Sequence, residues 1–410
     1  MTPAGAIHID LYHRAGNASG VQITSTRPRA VAQVFIGKTP EQLLDTVPLL
    51  FTLCGNAQAY AALLACRLAL GMETEPRLDS ARHILVQLET LREQVWRILL
   101  DWPGFVGLAP DKKALAALFK FDALFKRHLF RHGEAFKLGS CLNIDGAPLL
   151  TQLIDELETL IDQSVFNNRR GDFLTLTNET HLRDWLLQND ALPAKLLDYL
   201  YKQNWMASGQ NDIACLPMLD ADILRQHEEL TLFSQTPHWQ GRCFETTLLN
   251  RQLPQPLVAE LHKRYGNGLI VRTVACLLEV ASIPARLRRQ LLSLGHCKTP
   301  FALNVPDERG FAMLGRPGDG IGLSQVQAAR GLLIHRLELQ QGRVYDYRIV
   351  APTEWNFHPQ GVVAQGLKHL TAANPSALQR QAALFVNAVD PCVQYTLRLI
   401  DERNEVKKHA

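Results

Sequence analysis

The sequence predicts a helix-rich α+β chain, on three observations. Its opening reads as extended, its long middle carries helical periodicity, and its last quarter switches to an alternating pattern. With 410 residues, 47% hydrophobic and 20% charged, the chain can bury a large core. No repeat, low-complexity tract or Gly/Ser linker divides it. It reads as one integrated domain over 1–410, with an N-terminal strand region (1–45), a helical body (46–326) and a hairpin plus C-terminal cysteine segment (327–410).

The strands come first. IHIDLYHR and VQITSTRPRAVAQVFIGK are rich in β-branched residues, with Gly20 between them. After Thr39-Pro40 the pattern turns helical. In ARHILVQLETLREQVWRILLDW, the residues Ala81, Ile84, Leu85, Leu88, Leu91, Val95, Ile98, Leu99 and Trp102 recur at steps of three and four, with Asp79 and Ser80 as N-cap chemistry. The period returns in LLTQLIDELETLIDQ (Leu149 to Gln163) and in a run from Leu257 to Leu294. LLIHRLEL, the turn QQG and RVYDYRIVAP then form a hairpin, because Leu337 and Leu339 flank Glu338 while Tyr345, Tyr347 and Ile349 alternate with Asp346 and Arg348. A last helix is expected from Ser376 through Val386, leading into Asp390-Pro391-Cys392.

Several function classes are excluded or disfavoured. A net charge of +3, from 43 basic and 40 acidic residues, is too balanced for a nucleic-acid or anionic-membrane surface. The most apolar stretch, Val47 to Met72, is broken by Asn56, Gln58 and Arg67, so a buried helix is expected there and no membrane span. The start, MTPAGAIHIDLYHR, lacks a basic region followed by an apolar stretch, so no signal peptide is expected. The eight cysteines (54, 66, 141, 215, 243, 276, 297 and 392) form no close pair. That excludes a disulfide framework or zinc ribbon and suggests a reducing cytoplasm.

Two local patterns invite a functional reading and fail it. His128 and His132 in KRHLFRHGE stand i, i+4 with Glu134 nearby, but there is no HExxH and the run is basic, so it reads as a solvated or partner-facing helix. GRPGDGIGL (Gly315 to Leu323) lacks a Walker lysine and reads as a loop.

Four ordered segments carry a resemblance. They are FIGKTPEQLLDTVPLLFTLCGNAQAYAALLA, CFETTLLNR, QAARGLLIHRLELQQGRVYDYRIVAPTEWN and AVDPCVQYTLRLI. Together, over roughly residues 20 to 400, they resemble the large subunit of nickel-iron hydrogenases: its N-terminal CxxCxxxH stretch, its E-x-G-P-L-x-R, its E-A-P-R-G hairpin ending in P-[ST]-x-W-N, and its terminal DPCxxCxxH. The departures are specific. Phe51 and Tyr395 stand where two of the four nickel-holding cysteines would be, leaving Cys54 and Cys392. Gln58 and Arg398 replace histidines, the second at the family's proteolytic maturation site. No acidic residue lies in Thr24 to Lys38, where the family keeps a proton-transfer glutamate. Nickel needs several soft donors, so a stable nickel site and hydrogen turnover are not expected.

What the resemblance retains is the surroundings of the iron, which in the family carries two cyanides and one carbon monoxide. Arg330 and Thr353 match the residues that bind cyanide nitrogens, by charge-assisted hydrogen bond and by hydroxyl. Pro352 and Leu333 supply an apolar wall for carbon monoxide. Cys54 matches a bridging thiolate and is the candidate iron ligand. Cys392 matches a nickel ligand, so it either swings to iron or leaves a donor position to a partner protein. Glu245 and Arg251 read as a structural ion pair.

A kept cyanide socket with lost nickel ligands resembles the HupK/HoxV family of hydrogenase assembly proteins. That resemblance implies a non-enzymatic scaffold, which receives the iron dicyanide carbonyl unit from a HypC-type chaperone (with its HypD-type partner) and passes it to the hydrogenase large subunit. Two rivals remain: a metal-free interaction subunit that inherited the fold, and a thiol enzyme using Cys54 or Cys392. The second would need a base, and no histidine stands near either cysteine in the sequence.

Overall fold

The computed structural model describes residues 5–28, 31–143, 146–219, 233–296, 311–314 and 317–405. Cys297, Gly315, Arg316 and the end of the tail (406–410) lie outside the described residues.

The opening residues form strands β1 (Ala6–Arg14) and β2 (Asn17–Ser25), paired antiparallel. Alternation does the work in β1: Ile7, Ile9 and Leu11 are buried. The extended reading fails beyond Ser25, because Val31–Phe35 is a short 3-10 helix.

Helix α1 (Pro40–Leu50) starts where Thr39-Pro40 predicts, with a full capping box between Thr39 and Gln42. It leads to α2 (Gly55–Ala69), α3 (Pro76–Trp96), α4 (Trp102–Phe105), α5 (Lys112–Leu129), α6 (Ala147–Phe166), α7 (Arg170–Leu174), α8 (Glu179–Leu187) and α9 (Leu192–Gln203). A π-helical turn over Arg97–Asp101 joins α3 to α4. The predicted cap of α3 is displaced, since Glu75 is the N-cap and Pro76 opens the helix. Asp79 is instead buried between two guanidiniums, Arg67 (2.8 Å) and Arg82 (3.0 Å).

Short α10 (Leu248–Gln252) precedes α11 (Pro256–Tyr265) and α12 (Leu269–His296). The run of helical period from Leu257 to Leu294 is two helices, broken at Gly266, whose φ of 57° and ψ of −146° no helix accommodates. Helix α12 is the axis of the main core and packs against α3, α6 and α10.

Strands β3 (Phe311–Leu314), β4 (Ile321–Ala328), β5 (Gly331–Gln340) and β6 (Arg343–Val350) form an antiparallel meander in sequence order. The predicted hairpin is β5–β6; β3 and most of β4 come from the stretch read as helical body. This sheet rests on α2, of whose fifteen residues all but Gly55 are buried. The alanines of α2 let β4 approach its backbone, and a Cβ on Gly322 would stand 1.8 Å from the Ala65 carbonyl oxygen. Gly322→Ala is therefore expected to lower the denaturation midpoint, by roughly 1–3 kcal/mol of overpacking.

The chain closes with α13 (Pro352–Asn356), α14 (Val362–Lys368), α15 (Pro375–Val389), β7 (Gln394–Asp401) and α16 (Glu402–Glu405). β7 runs parallel to β1, so one sheet in the order β2-β1-β7 joins the two ends of the fold. Arg398, at the position of the family's cleavage histidine, pairs in β7 with Asp10 of β1 (2.7 Å). The α+β architecture expected from the sequence is the one found. Among the described residues, no helix is long and apolar enough to cross a membrane.

Candidate functional site

The site is built on the tight turn between β4 and β5. Ala328 pairs with Gly331, so Ala329 and Arg330 occupy the turn itself. Gly331 has a φ of 128°, and a Cβ there would lie 2.0 Å from the Thr246 carbonyl oxygen. Only glycine lets the CFETT segment come this close. Thr246 then clasps the turn. Its hydroxyl accepts from the Leu332 amide (2.7 Å), and the Asn356 carboxamide spans the Thr246 amide (2.8 Å) and carbonyl (2.7 Å). Beneath it, fully buried Glu245 accepts from both terminal nitrogens of Arg272, one at 2.8 Å, and from the Thr247 hydroxyl at 2.6 Å.

Glu245 and Arg251 thus do not pair with each other. Arg251 instead binds Glu279 (3.0 Å) and the Ala328 carbonyl (2.9 Å), fixing the end of β4. Both serve the turn, each through its own partner.

Arg330 is 6% exposed. Nη2 donates to Glu93 at 3.0 Å and Nε lies 3.2 Å from Asp390 Oδ1, yet neither Nε nor Nη1 has a hydrogen-bond partner. Burial opposes its charge, but Asp390, Glu93 and Cys392 more than offset this and hold its pKa above the ordinary arginine value. A buried donor without a partner costs about 1–3 kcal/mol, so Nη1 is open to a ligand.

The Asp-Pro-Cys segment explains itself here. Asp390 ends α15 in the left-handed conformation (φ 62°) and turns the chain toward β7. Its carboxylate accepts from Arg97 (2.6 Å) and Gln94 (3.3 Å) besides facing Arg330, and Arg97 also holds the Pro391 carbonyl (2.9 Å). Cys392 follows at once, half-buried, with the Thr353 hydroxyl donating to its sulfur at 2.9 Å. Pro352 opens α13 beside Thr353, and both are buried. Leu333 lies in an apolar cluster with Ala57, Tyr60, Ala328 and Ala351.

Cys54 is the N-cap of α2 and half-buried. The free amides at this helix end, of Asn56 and Ala57, donate to the Glu89 carboxylate (2.7 and 3.1 Å), so the positive helix end serves Glu89 and not the sulfur. Burial first, then Glu89 and Cys392, push the Cys54 thiol up to about 12, against the pull of Arg330 and a hydrogen bond from Gln58. Burial likewise pushes Glu89 up to about 7.

Gln58 belongs to a buried chain. His335 is held neutral, burial pushing it down to about 3. Its Nε2 faces Gln58 Oε1 at 2.9 Å and its Nδ1 faces the Tyr347 hydroxyl at 2.6 Å. A neutral ring facing a carbonyl oxygen through Nε2 must carry its proton there, so Tyr347 donates to Nδ1. The Gln58 carboxamide is left with its NH2 for the Cys54 sulfur.

The high thiol pKa gives a test of the thiol-enzyme reading. In the metal-free protein, Cys54 should alkylate far more slowly than exposed Cys141 from pH 6 to 8, with a rate that climbs through pH 9 and shows no plateau. A plateau near pH 7, read by peptide mass spectrometry, would mean an activated nucleophile. His335 is linked to Cys54 through Gln58 and does not itself hydrogen-bond the sulfur.

Of the predicted site residues, Cys54, Cys392, Arg330 and Thr353 are brought together. Each sulfur interacts electrostatically with Arg330, and the two sulfurs with each other. Phe51 packs against the cluster of Phe35, Leu43 and Val47, and Tyr395 sits in β7 opposite Ile7. The two lost cysteine positions are thus occupied by aromatic packing. Among the described residues, no group of three or more His, Cys, Asp or Glu side chains is arranged to hold a metal ion. His128 and His132 do not share a helix face, because α5 ends at Leu129 and His132 has a φ of 57°.

Sequence reasoning missed Arg27, Glu89, Glu93, Arg97 and Asp390. A signal for three of them was present: Glu89, Glu93 and Arg97 recur at steps of four along α3 and into the π-helical turn, a charged stripe on a largely buried face.

Comparison with known proteins agrees with this architecture. Residues 256–393 match the family model described as nickel-dependent hydrogenase. The chain is 28% identical to the hydrogenase expression/formation protein HoxV of Cupriavidus necator over 98% of each chain. It is 28% identical to HupK, of the same description, from Rhizobium leguminosarum bv. viciae over 97% of each. Among solved structures, the Ni-Fe-Se hydrogenase of D. vulgaris Hildenborough in its as-isolated oxidised state aligns with a TM-score of 0.66, at 13% identity, over 92% of this chain and 94% of that one. That likeness carries the fold.

Proposed function

The chain is a homologue of the HoxV/HupK hydrogenase expression/formation proteins over nearly its full length, and we propose that it serves hydrogenase maturation as a non-enzymatic scaffold. Its cargo is an iron ion carrying two cyanides and one carbon monoxide. Cys54 and Cys392 supply thiolates, Arg330 and Thr353 hold the cyanides, and Pro352 with Leu333 provides the apolar side.

One observation carries this reading: a buried arginine whose Nη1 has no partner and whose Nε meets only the Asp390 carboxylate, electrostatically linked to both sulfurs. A metal-bound cyanide is an anion with an outward nitrogen lone pair, which is what such donors lack. The small number of protein donors fits the same cargo. A bare ion would need more ligands than these two thiols, whereas a unit bringing three diatomic ligands of its own does not. Two thiolates without a second metal also make a holder that can let go, as a transfer protein must.

On this reading a HypC-type chaperone, with its HypD-type partner, is the donor and the hydrogenase large subunit is the acceptor. Leu49 (75% exposed), Leu50 and Leu53, just before Cys54, are apolar surface where such partners can dock. The test is infrared spectroscopy of protein isolated from cells expressing the maturation machinery. Cyanide and carbonyl bands are expected. Iron-free protein without bands, despite that machinery, would instead support a metal-free interaction subunit with the inherited fold.

A further inference from the structure

The loaded site has a charge to balance. Ferrous iron, two cyanides and two thiolates sum to a dianion, and Arg330 supplies one positive charge, already shared with Glu93 and Asp390. A second cation, Arg27, interacts electrostatically with the same sulfurs. Arg27 follows the end of β2, where its backbone is fixed. The Thr26 amide bonds the Ala6 carbonyl (2.9 Å), and Gly5 packs directly on the Arg27 backbone. Its side chain pairs through Nη1 with Glu354 at 2.5 Å, and both side chains are about four-fifths buried. Glu354 adjoins Thr353, the residue bonded to the Cys392 sulfur.

We propose that Arg27 is a second anion-binding residue of this site, reached through the Glu354–Thr353–Cys392 neighbourhood and balancing the cargo, with Glu354 as the counter-ion it keeps when the site is empty. The inference rests on the scaffold reading for the identity of the cargo, but not for the electrostatics. Burial opposes the Arg27 charge, yet Cys392, Glu354 and Cys54 together hold its pKa above the ordinary arginine value. Glu354 is itself poorly satisfied, since its Oε2 is buried without a hydrogen-bond partner and burial raises its pKa. An arriving anion would share the guanidinium with Glu354, as Arg330 is shared between Glu93 and Asp390.

The test has two arms. In the first, metal-free protein is alkylated at low salt and pH 9 with iodoacetate, an anion, or with iodoacetamide, its neutral analogue. The rate ratio is read at Cys54, Cys392 and Cys141. Arg27→Gln should lower the iodoacetate-to-iodoacetamide ratio at Cys54 and Cys392 by about threefold to tenfold and leave Cys141 unchanged. Arg27→Lys should restore most of the difference. Because Arg27→Gln strands Glu354, the double variant Arg27→Gln/Glu354→Gln is measured beside it and should show the same fall. An unchanged ratio in a folded double variant, or an equal fall at Cys141, overturns the proposal.

In the second arm, protein from maturation-competent cells is gel-filtered and its infrared bands recorded. The wild type should keep its bands and Arg27→Gln should lose most of them; equal retention overturns the proposal. Bands absent from the wild type itself would sink the cargo reading, while the alkylation arm would still decide the role of Arg27.

Discussion

Protein carrying Cys54→Ala is expected to come out of maturation-competent cells without cyanide or carbonyl bands and without iron, while remaining folded. The effect should be complete, because an iron–thiolate bond has no substitute among the described residues around α2. The folded state should survive because Cys54 makes no cap hydrogen bond to α2, whose free amides are served by Glu89. Cys392→Ala should retain little cargo, since its sulfur is held by Thr353 and interacts electrostatically with Arg330. Wild-type retention in Cys392→Ala would assign the second thiolate to a partner. Thr353→Val, which deletes only the hydroxyl, should shift the cyanide bands and leave iron content nearly intact.

The same prediction has a pH arm. On the scaffold reading Cys54 must lose its proton to bind iron, and burial with Glu89 and Cys392 pushes its pKa up to about 12. Loading therefore releases a proton throughout the neutral range, and apparent affinity should fall about tenfold per pH unit of acidification for this thiol. A thiol with an ordinary pKa would flatten that slope above about pH 8.5. Iron retention titrated from pH 6 to 9, with a slope that persists to the alkaline end, distinguishes the two.

The elements legible in the sequence are those whose period survives burial on one side. The β5–β6 hairpin and α15 were read from alternation and from helical steps, and both are present. Strand β4 was missed because its residues are buried on both faces, which erases the period-two signal. β7 was missed although Tyr395, Leu397 and Leu399 alternate with exposed residues, because its partner, β1, is nearly four hundred residues away in sequence. The site divides the same way. Cys54, Arg330, Thr353 and Cys392 were visible through ordered segments of a resemblance. Glu93, Asp390 and Arg27 were not, because their roles arise only when distant segments converge. The Arg330–Glu93 contact joins residues 237 positions apart and Arg27–Glu354 joins residues 327 apart. Nor could a step of six residues show that Glu245 and Arg251 take separate partners.

Glu245→Ala should be the most damaging single change in this scaffold. Glu245 is fully buried, and its carboxylate serves Arg272, Thr247 and Asn267. Removing it leaves an uncompensated guanidinium in the core beside the CFETT segment, which should cost about 3–5 kcal/mol of stability. The loss should reach the site, because Thr246 and Asn356 hold the turn that presents Arg330. Iron retention and the denaturation midpoint should therefore fall together. The companion experiment separates charge from shape: Glu245→Leu with Arg272→Met removes both ions, and apolar replacement of a buried pair is often neutral or stabilising. Stability should then recover most of its loss. Iron retention should recover with it, because Glu245 acts by holding the segment in place and touches no cargo atom. If the double variant regains stability yet stays iron-free, Glu245 contributes to the site through its charge, and its assignment as a structural residue is wrong.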